Sequence, residues 1–116
     1  MTNGTDTIRV SRRVTPPLES NIVKRIMAEL KKHPGVVVRK RHGTVMGVAG
    51  DPDLYGTVNG RHFEIEVKRP TFRSDLTERQ VQRLLEWHNA GAITGVARSV
   101  DDALTILGFK NREVVG

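Results

Sequence analysis

Residues 51–68 read DPDLYGTVNGRHFEIEVK, and this stretch decides the fold. Asn59 and Gly60 are the strongest short signal for a two-residue type I′ turn, because both central residues of that turn need a positive φ. With this pair as the loop, Asp53 faces Glu66 across the two arms. Directly opposed residues have Cβ atoms about 4.5–5.5 Å apart, a distance at which like charges repel. The stretch therefore predicts a β-hairpin with a cation between two carboxylates.

The second arm of this hairpin separates an apolar face from a polar face. Phe63, Ile65 and Val67 point one way, and Glu66 and Lys68 point the other, because side chains alternate along a strand. Carboxylates hold Mg²⁺, which activates water, and a nearby ammonium group stabilises developing negative charge. The pattern favours phosphodiester hydrolysis, although Glu-X-Lys on its own is more often an ion-paired surface strand.

The charge of the chain favours an anionic partner. Its 116 residues carry a net charge of +6, and the sequence pI is about 10.3. These values favour a nucleic-acid partner, with an ordinary basic soluble protein as the alternative. Basic residues concentrate in 31–42, whereas four of the thirteen acidic residues lie within 51–66. An acidic pocket in a basic protein suits a metal-using phosphodiesterase.

Length, cysteine content and hydropathy limit the class of protein. A chain of 116 residues suits one domain. The absence of cysteine excludes disulfides and thiolate metal sites and suits a reducing compartment. No apolar run approaches the roughly 18 residues of a membrane span, and the N-terminus lacks the apolar segment of a signal peptide. We therefore expect a cytoplasmic, intracellular protein with no membrane partner.

Periodicity outside the hairpin predicts further helices and strands. Residues 1–15 lack periodicity and are expected to form a flexible arm, which leaves 16–116 as a single domain. Helices are predicted to start at the Pro16-Pro17 pair, at Thr77 and at Ser99, and strands are predicted at 36–38, 44–49, 92–98 and 113–115. This order predicts an α/β fold in which helices flank a mixed sheet.

The second predicted helix has a well-defined start. Thr77 and Gln80 fit a capping box, in which each side chain bonds the backbone of the other residue. Val81, Leu84 and Leu85 define its inward side. The capping box explains Gln80 without any further function, and the alternative is a hydrogen bond from Gln80 to a metal-bound water or a DNA phosphate.

Four motifs follow one another in the sequence: GVAGDPDLYG (47–56), FEIEVKRP (63–70), LTERQ (76–80) and VARSVDDAL (96–104). Their ordered combination resembles the VRR-NUC domain of the PD-(D/E)XK, restriction-endonuclease-like nuclease superfamily, and the resemblance covers roughly residues 18–107. It implies the αβββαβ core of that superfamily and DNA cleavage that depends on Mg²⁺ or Mn²⁺.

The resemblance also implies roles for particular residues. Asp53 matches the motif aspartate, and Glu66 and Lys68 match the Glu-X-Lys pair. Glu19 matches the acidic residue of the family's first helix, and Gln80 the glutamine that opens the helix after the hairpin. By sequence alone, a first-turn glutamate favoured by the helix dipole explains Glu19 equally well. The predicted catalytic residues are Asp53, Glu66, Lys68 and Gln80, and the predicted metal ligands are Asp53, Glu66, the Val67 carbonyl and Glu19.

Short stand-alone relatives resemble Holliday-junction resolving enzymes and are expected to act as homodimers. The resemblance therefore implies an endonuclease selective for branched DNA, with a role in DNA repair, and it leaves a phage-encoded origin open. Two alternatives remain. One is a nicking, flap or exonuclease activity on other forms of DNA, and the other is a non-catalytic DNA-binding module with the same fold.

Basic residues near the hairpin are candidates for phosphate contacts, which position DNA without reading its sequence. For any single one of them, a solvated charge is about as good an explanation. Asp51 faces Lys68 in the predicted register and is expected to pair with it, with direct metal binding as the alternative. The DNA-binding candidates are Arg39, Lys40, Arg41, His42, Arg69, Arg73, Arg79 and Arg83.

Overall fold

Three helices and four strands make up the part of the chain that the computed structural model describes, which is residues 17–43, 45–71 and 75–111. None of these helices has both the length and the apolar character that a membrane crossing requires. The predicted arm at 1–15 and the predicted strand at 113–115 lie outside the described residues. In chain order the elements are α1 (Glu19–Leu30), β1 (Val36–Lys40), β2 (Leu54–Val58), β3 (Arg61–Val67), α2 (Glu78–Asn89), β4 (Ile93–Ala97) and α3 (Val100–Ile106).

The predicted hairpin is present, and its register is the predicted one. Asn59 has a φ of 49° and Gly60 a φ of 85°, the left-handed values that a type I′ loop needs. Leu54 pairs with Ile65 across the antiparallel strands β2 and β3. Pairing begins at Leu54, so Asp53 lies one residue before the strand. A local turn signal thus determines which side chains share each face.

The four strands form one mixed sheet in the order β1-β2-β3-β4. β1 and β3 run antiparallel to β2, while β4 runs parallel to β3. Parallel neighbours need a crossover connection, and α2 lies in that connection. The element order αβββαβ, followed by α3, confirms the predicted fold class.

Helices lie on both faces of the sheet. α2 lies over the polar face, where Gln80 contacts Glu66 and Trp87 contacts His62. The opposite face packs against α1 and α3, because the apolar side chains of both helices join the inward face of β3 in one core. The core residues are Ile22, Val23, Ile26 and Leu30 of α1, Phe63, Ile65 and Val67 of β3, Ala103 of α3, and Leu107, which caps α3.

The strand predicted at 44–49 is wrong. Residues 45–50 form turns and a loop, in which Val45 and Met46 are exposed. Both edges of β2 are taken, by β1 and β3, and no residue of 45–50 pairs with a described strand. Glycines at 43, 47 and 50 further weaken a strand at this place, because glycine has no side chain to pack and loses more entropy on ordering.

The first two helices also differ from the prediction. α1 begins at Glu19 after the N-cap residue Leu18, so Pro17 precedes the helix instead of occupying its first turn. In α2, Val81 and Leu85 were predicted to face inward, but they are 40% and 53% exposed. The face of the sheet beneath α2 is polar and offers them no apolar surface. α2 therefore presents apolar side chains to solvent.

Candidate active site

Two carboxylates meet at the end of the hairpin. Glu66 lies on β3 and is 2% exposed. Asp53 precedes β2, and its carboxyl group is hydrogen-bonded with that of Glu66. The structure therefore brings together the two acids that the hairpin register pairs.

A backbone hydrogen bond fixes the position of Asp53. The Val67 amide donates to Asp53 Oδ2 at 2.8 Å. β2 begins only at Leu54, so no carbonyl of β2 is paired with this amide, and the carboxylate accepts its hydrogen bond instead. Asp53 is thus held by the same strand that carries Glu66.

Lys68 and Gln80 complete the polar cluster. Lys68 follows β3 and is 8% exposed, and its charge acts on Glu66. Gln80 Nε2 donates to Glu66 Oε2 at 3.2 Å, while Gln80 Oε1 accepts from the Thr77 amide at 3.0 Å. Thr77 Oγ1 in turn accepts from the Gln80 amide at 3.1 Å, which closes the predicted capping box. Gln80 therefore caps the helix and contacts the acidic pair with one side chain.

The acidic cluster has a surplus of negative charge. Burial, followed by the charge of Asp53 and the hydrogen bond with it, raises the pKa of Glu66 from 4.5 to about 8. Lys68 acts in the opposite direction, and the charge of Glu19, which lies half-buried in the first turn of α1, raises this pKa further. A cation at this place would offset the repulsion among the acids.

The oxygen atoms of this cluster fit a hard divalent cation. Within the described ranges, no three His, Asp or Glu side chains are grouped so that they could hold a metal ion. Mg²⁺ is commonly bound through only one or two carboxylates and keeps several of its waters. Asp53 and Glu66 meet that requirement, and the backbone carbonyl of Val67 and the carboxylate of Glu19 stay predicted ligands.

The pKa of Glu66 gives a prediction for stability. Because the folded state binds this proton more tightly than the unfolded state, the stabilisation is complete below pH about 4.5 and is lost as the pH rises to about 8. In EDTA, the Tm of the wild type should fall more across this window than that of Glu66→Gln, whose amide does not titrate. Mg²⁺ should raise the wild-type Tm more at the alkaline end than at the acidic end. A Tm difference between the two proteins that is constant with pH would contradict this.

The predicted DNA-binding residues fall into two groups. Arg39, Lys40, His42 and Arg79 have exposed side chains, although Arg39 Nη1 also donates to the neighbouring Val38 carbonyl. The others that the structure describes are engaged within the chain: Arg69 Nε donates to the Pro17 carbonyl, Arg83 bonds the Ala49 carbonyl and Glu86, and Arg41 bonds Glu64. Arg73 lies outside the described residues.

A second charged cluster, the Arg41–Glu64 cluster, lies on the same face of the sheet. Glu64 is completely buried, and its two oxygens accept from Nη1 and Nη2 of Arg41. His62 Nε2 lies 2.6 Å from Glu64 Oε2. The Arg41 guanidinium lies 4.5 Å from the ring centroid of Tyr55 and 5.6 Å from that of Trp87. Burial lowers the pKa of Arg41, but the hydrogen bond and charge of Glu64, with the charge of Asp51, raise it overall.

The predicted pairing of Asp51 with Lys68 is wrong. Asp51 Oδ1 accepts from Trp87 Nε1 at 3.2 Å, and Asp51 Oδ2 lies 3.8 Å from Arg41 Nε. β2 begins only after Asp53, so Asp51 lies outside the hairpin register and turns toward α2. Sequence reasoning also missed the contact between Arg41 and Glu64. Extending the register through β1 gives only part of it: Arg41 lies opposite Asp53, as its amide bond to the Asp53 carbonyl shows, while Arg39 lies opposite Tyr55 and so in the row of Glu64.

The fold can be compared with that of known proteins. No protein-family model matches the chain, and no curated protein does. Solved structures do match. A chain titled "VRR_NUC domain protein" superposes with a TM-score of 0.66 at 19% identity, over 82% of this chain and 88% of that one. A second, titled "VRR_NUC domain", gives a TM-score of 0.60 at 25% identity, over 74% of this chain and 91% of that one. The four-stranded mixed sheet and its helices thus have the fold of the VRR-NUC domain.

Proposed function

We propose that this chain is a divalent-metal-dependent DNA endonuclease that hydrolyses phosphodiester bonds, with branched DNA such as Holliday junctions as its preferred substrate. The observation that carries the proposal is the contact between the half-buried carboxyl group of Asp53 and the buried one of Glu66, with Lys68 beside them. The VRR-NUC names of the structural neighbours support a nuclease-type domain, for which DNA is the substrate.

The residues of the cluster have complementary tasks in such a reaction. Asp53 and Glu66 would hold Mg²⁺ or Mn²⁺, which when bound supplies charge neutralisation and a more acidic water. The Lys68 ammonium group lies on the same face, where it orients the attacking water or stabilises charge on the phosphoryl oxygens. Gln80 restrains the Glu66 carboxylate through its hydrogen bond to Oε2. A free carboxylate would need no such restraint, whereas a metal ligand benefits from a fixed orientation.

The net charge supports DNA as the substrate. A chain with a net charge of +6 attracts a polyanion despite its acidic site. Arg39 and Lys40 at the end of β1, with His42, precede the loop that leads to Asp53, and their side chains are exposed. Contacts from these groups to phosphates would position DNA next to the acids without reading its sequence.

Cleavage of model substrates tests the proposal directly. Labelled four-way junctions, flaps and linear duplexes are incubated with the chain in Mg²⁺, in Mn²⁺ and in EDTA. We expect the junction to be cut in preference to the others and only with metal, because two active sites brought together by a dimer suit a symmetric substrate. Equal cutting of linear duplex would exclude junction selectivity but not nuclease activity. DNA binding without any cutting would favour the non-catalytic DNA-binding module.

We further propose that the chain acts as a homodimer. The support is the exposed apolar side of α2, where Val81 is 40% and Leu85 53% exposed. Burying such side chains contributes roughly 25 cal/mol per Å² of apolar surface. The second copy would place its own site near the first, so that two strands of a junction are cut by one particle.

Light scattering should give twice the 12.9 kDa mass of one chain for the wild type, and Leu85→Asp should shift it toward the monomer, because a charge would be buried in the interface. Leu18→Asp is the matched control, since Leu18 is 57% exposed and, as the N-cap of α1, accepts aspartate well. A wild-type mass of one chain in dilute buffer would refute the dimer.

A further inference from the structure

Arg41 holds the segment that carries Asp53 at three successive residues. Its backbone amide donates to the Asp53 carbonyl at 2.8 Å. Its side chain donates from Nη1 to the Pro52 carbonyl at 2.9 Å, and its Nε lies 3.8 Å from Asp51 Oδ2. The segment itself has no strand partner before Leu54. Arg41 therefore supplies much of the restraint that the sheet does not give to Asp53.

The Arg41 guanidinium also binds the strand that carries Glu66. Glu64, which receives two hydrogen bonds from Arg41, is completely buried and lies two residues before Glu66 on β3. The rings of Tyr55 and Trp87 lie 4.5 Å and 5.6 Å from the guanidinium. This planar group thus connects the segment of Asp53 to the strand of Glu66. Arginine suits this task because its fixed fork of donors matches a carboxylate while other donors reach carbonyls.

We propose that Arg41 is a positioning residue, which fixes the carboxylate of Asp53 relative to Glu66, and that it does not serve as a phosphate contact. The proposal rests on the proposed function for its consequence in catalysis, but the positioning itself concerns the metal-free protein. Its side chain is only 26% exposed, and the donors described above are directed at protein oxygens. A metal site needs its ligands held within about 0.5 Å, which a glycine-containing loop does not achieve alone.

The first test needs neither metal nor DNA. The Val67 amide donates to Asp53 Oδ2, so its chemical shift and hydrogen exchange report where that carboxylate lies. In Arg41→Lys and in Glu64→Gln, we expect Val67 to exchange at least about tenfold faster relative to the other amides of β3. Val58→Ala is the control, because Val58 is buried near the hairpin loop and its truncation lowers stability without touching Asp53. A Val67 amide that behaves as in the wild type in both variants would overturn the proposal.

The second test measures Mn²⁺ affinity by calorimetry, and DNA affinity in Ca²⁺. Arg41→Lys should weaken Mn²⁺ binding about 10–100-fold, because the loss of a group that orients metal ligands has an effect of this size. It should leave the affinity for DNA unchanged. A loss of DNA affinity with unchanged Mn²⁺ binding and an unchanged Val67 amide would make Arg41 a phosphate contact and overturn the positioning role. A wild type that binds Mn²⁺ but cuts no DNA would refute the proposed function alone. The Val67 and Mn²⁺ measurements would then still decide the role of Arg41.

Discussion

Asp53→Asn and Lys68→Met are each expected to lower the single-turnover rate of metal-dependent DNA cleavage by about 10³-fold, while DNA affinity in Ca²⁺ stays close to that of the wild type. Asparagine keeps the shape of Asp53 but removes the charge that a divalent ion requires. Methionine keeps most of the buried stem of Lys68 and removes the ammonium group beside Glu66. Neither residue is one of the exposed basic residues to which phosphate contacts are assigned, so neither change should remove such a contact.

Matched controls separate the loss of a catalytic group from the loss of a charge elsewhere on the surface. Asp101 of α3 and Lys110 form an exposed ion pair. Asp101→Asn removes its negative charge, and Lys110→Met removes its positive charge. Both controls should cleave at the wild-type rate. Circular dichroism at the assay temperature establishes that all four variants are folded. Cleavage by Asp53→Asn and Lys68→Met at the wild-type rate would exclude this cluster as the active site.

Arg41→Met is expected to cost about 3–5 kcal/mol in the free energy of unfolding, measured by urea denaturation. The variant leaves Glu64 completely buried, with His62 as its remaining partner among the described contacts. A loss of this size is a large part of the roughly 5–15 kcal/mol that stabilises a typical domain. The double variant Arg41→Met with Glu64→Leu should lose less than Arg41→Met alone, because no unpaired carboxylate stays in the interior.

Arg83→Met is the matched control for this stability prediction. Arg83 also pairs with a glutamate, but its partner Glu86 is 65% exposed. Exposed ion pairs contribute a median of about 0–1 kcal/mol, so Arg83→Met should change the free energy of unfolding little. Equal losses for Arg41→Met and Arg83→Met, or strictly additive losses in the double variant, would show that the Arg41–Glu64 cluster does not act as a buried pair.

The hairpin was predictable because its signal is local. Asn59 and Gly60 specify a loop of known length, and the side-chain period of two then determines which residues face each other on β2 and β3. The loop at 45–50 shows the limit of such reasoning. A few apolar residues between glycines favoured a strand, but a strand also needs a partner, and residues 45–50 pair with none of the four strands. Partner availability is a property of the whole sheet.

The same distinction applies to the site. The meeting of Asp53 and Glu66 followed from the register, and the start of α2 from its capping box. The partners of Asp51 and Arg41 could not be derived in this way, because they depend on the path of a loop outside the sheet and on where Trp87 lies over the polar face. Contacts between segments far apart in sequence carry no short-range pattern.

Gln80 connects the boundary of a helix to the electrostatics of a reaction centre. Glutamate is as good a capping-box residue as glutamine, so helix formation alone would tolerate either. Only the amide, however, has an NH₂ group to offer to Glu66 after its oxygen is used by the backbone of Thr77. Redesign of the acid pair for another ion is therefore constrained at this position. Glutamate at position 80 would preserve the helix but add a third negative charge beside Asp53 and Glu66. A side chain with neither a carbonyl oxygen nor an NH₂ group would lose both the helix cap and the hydrogen bond to Glu66.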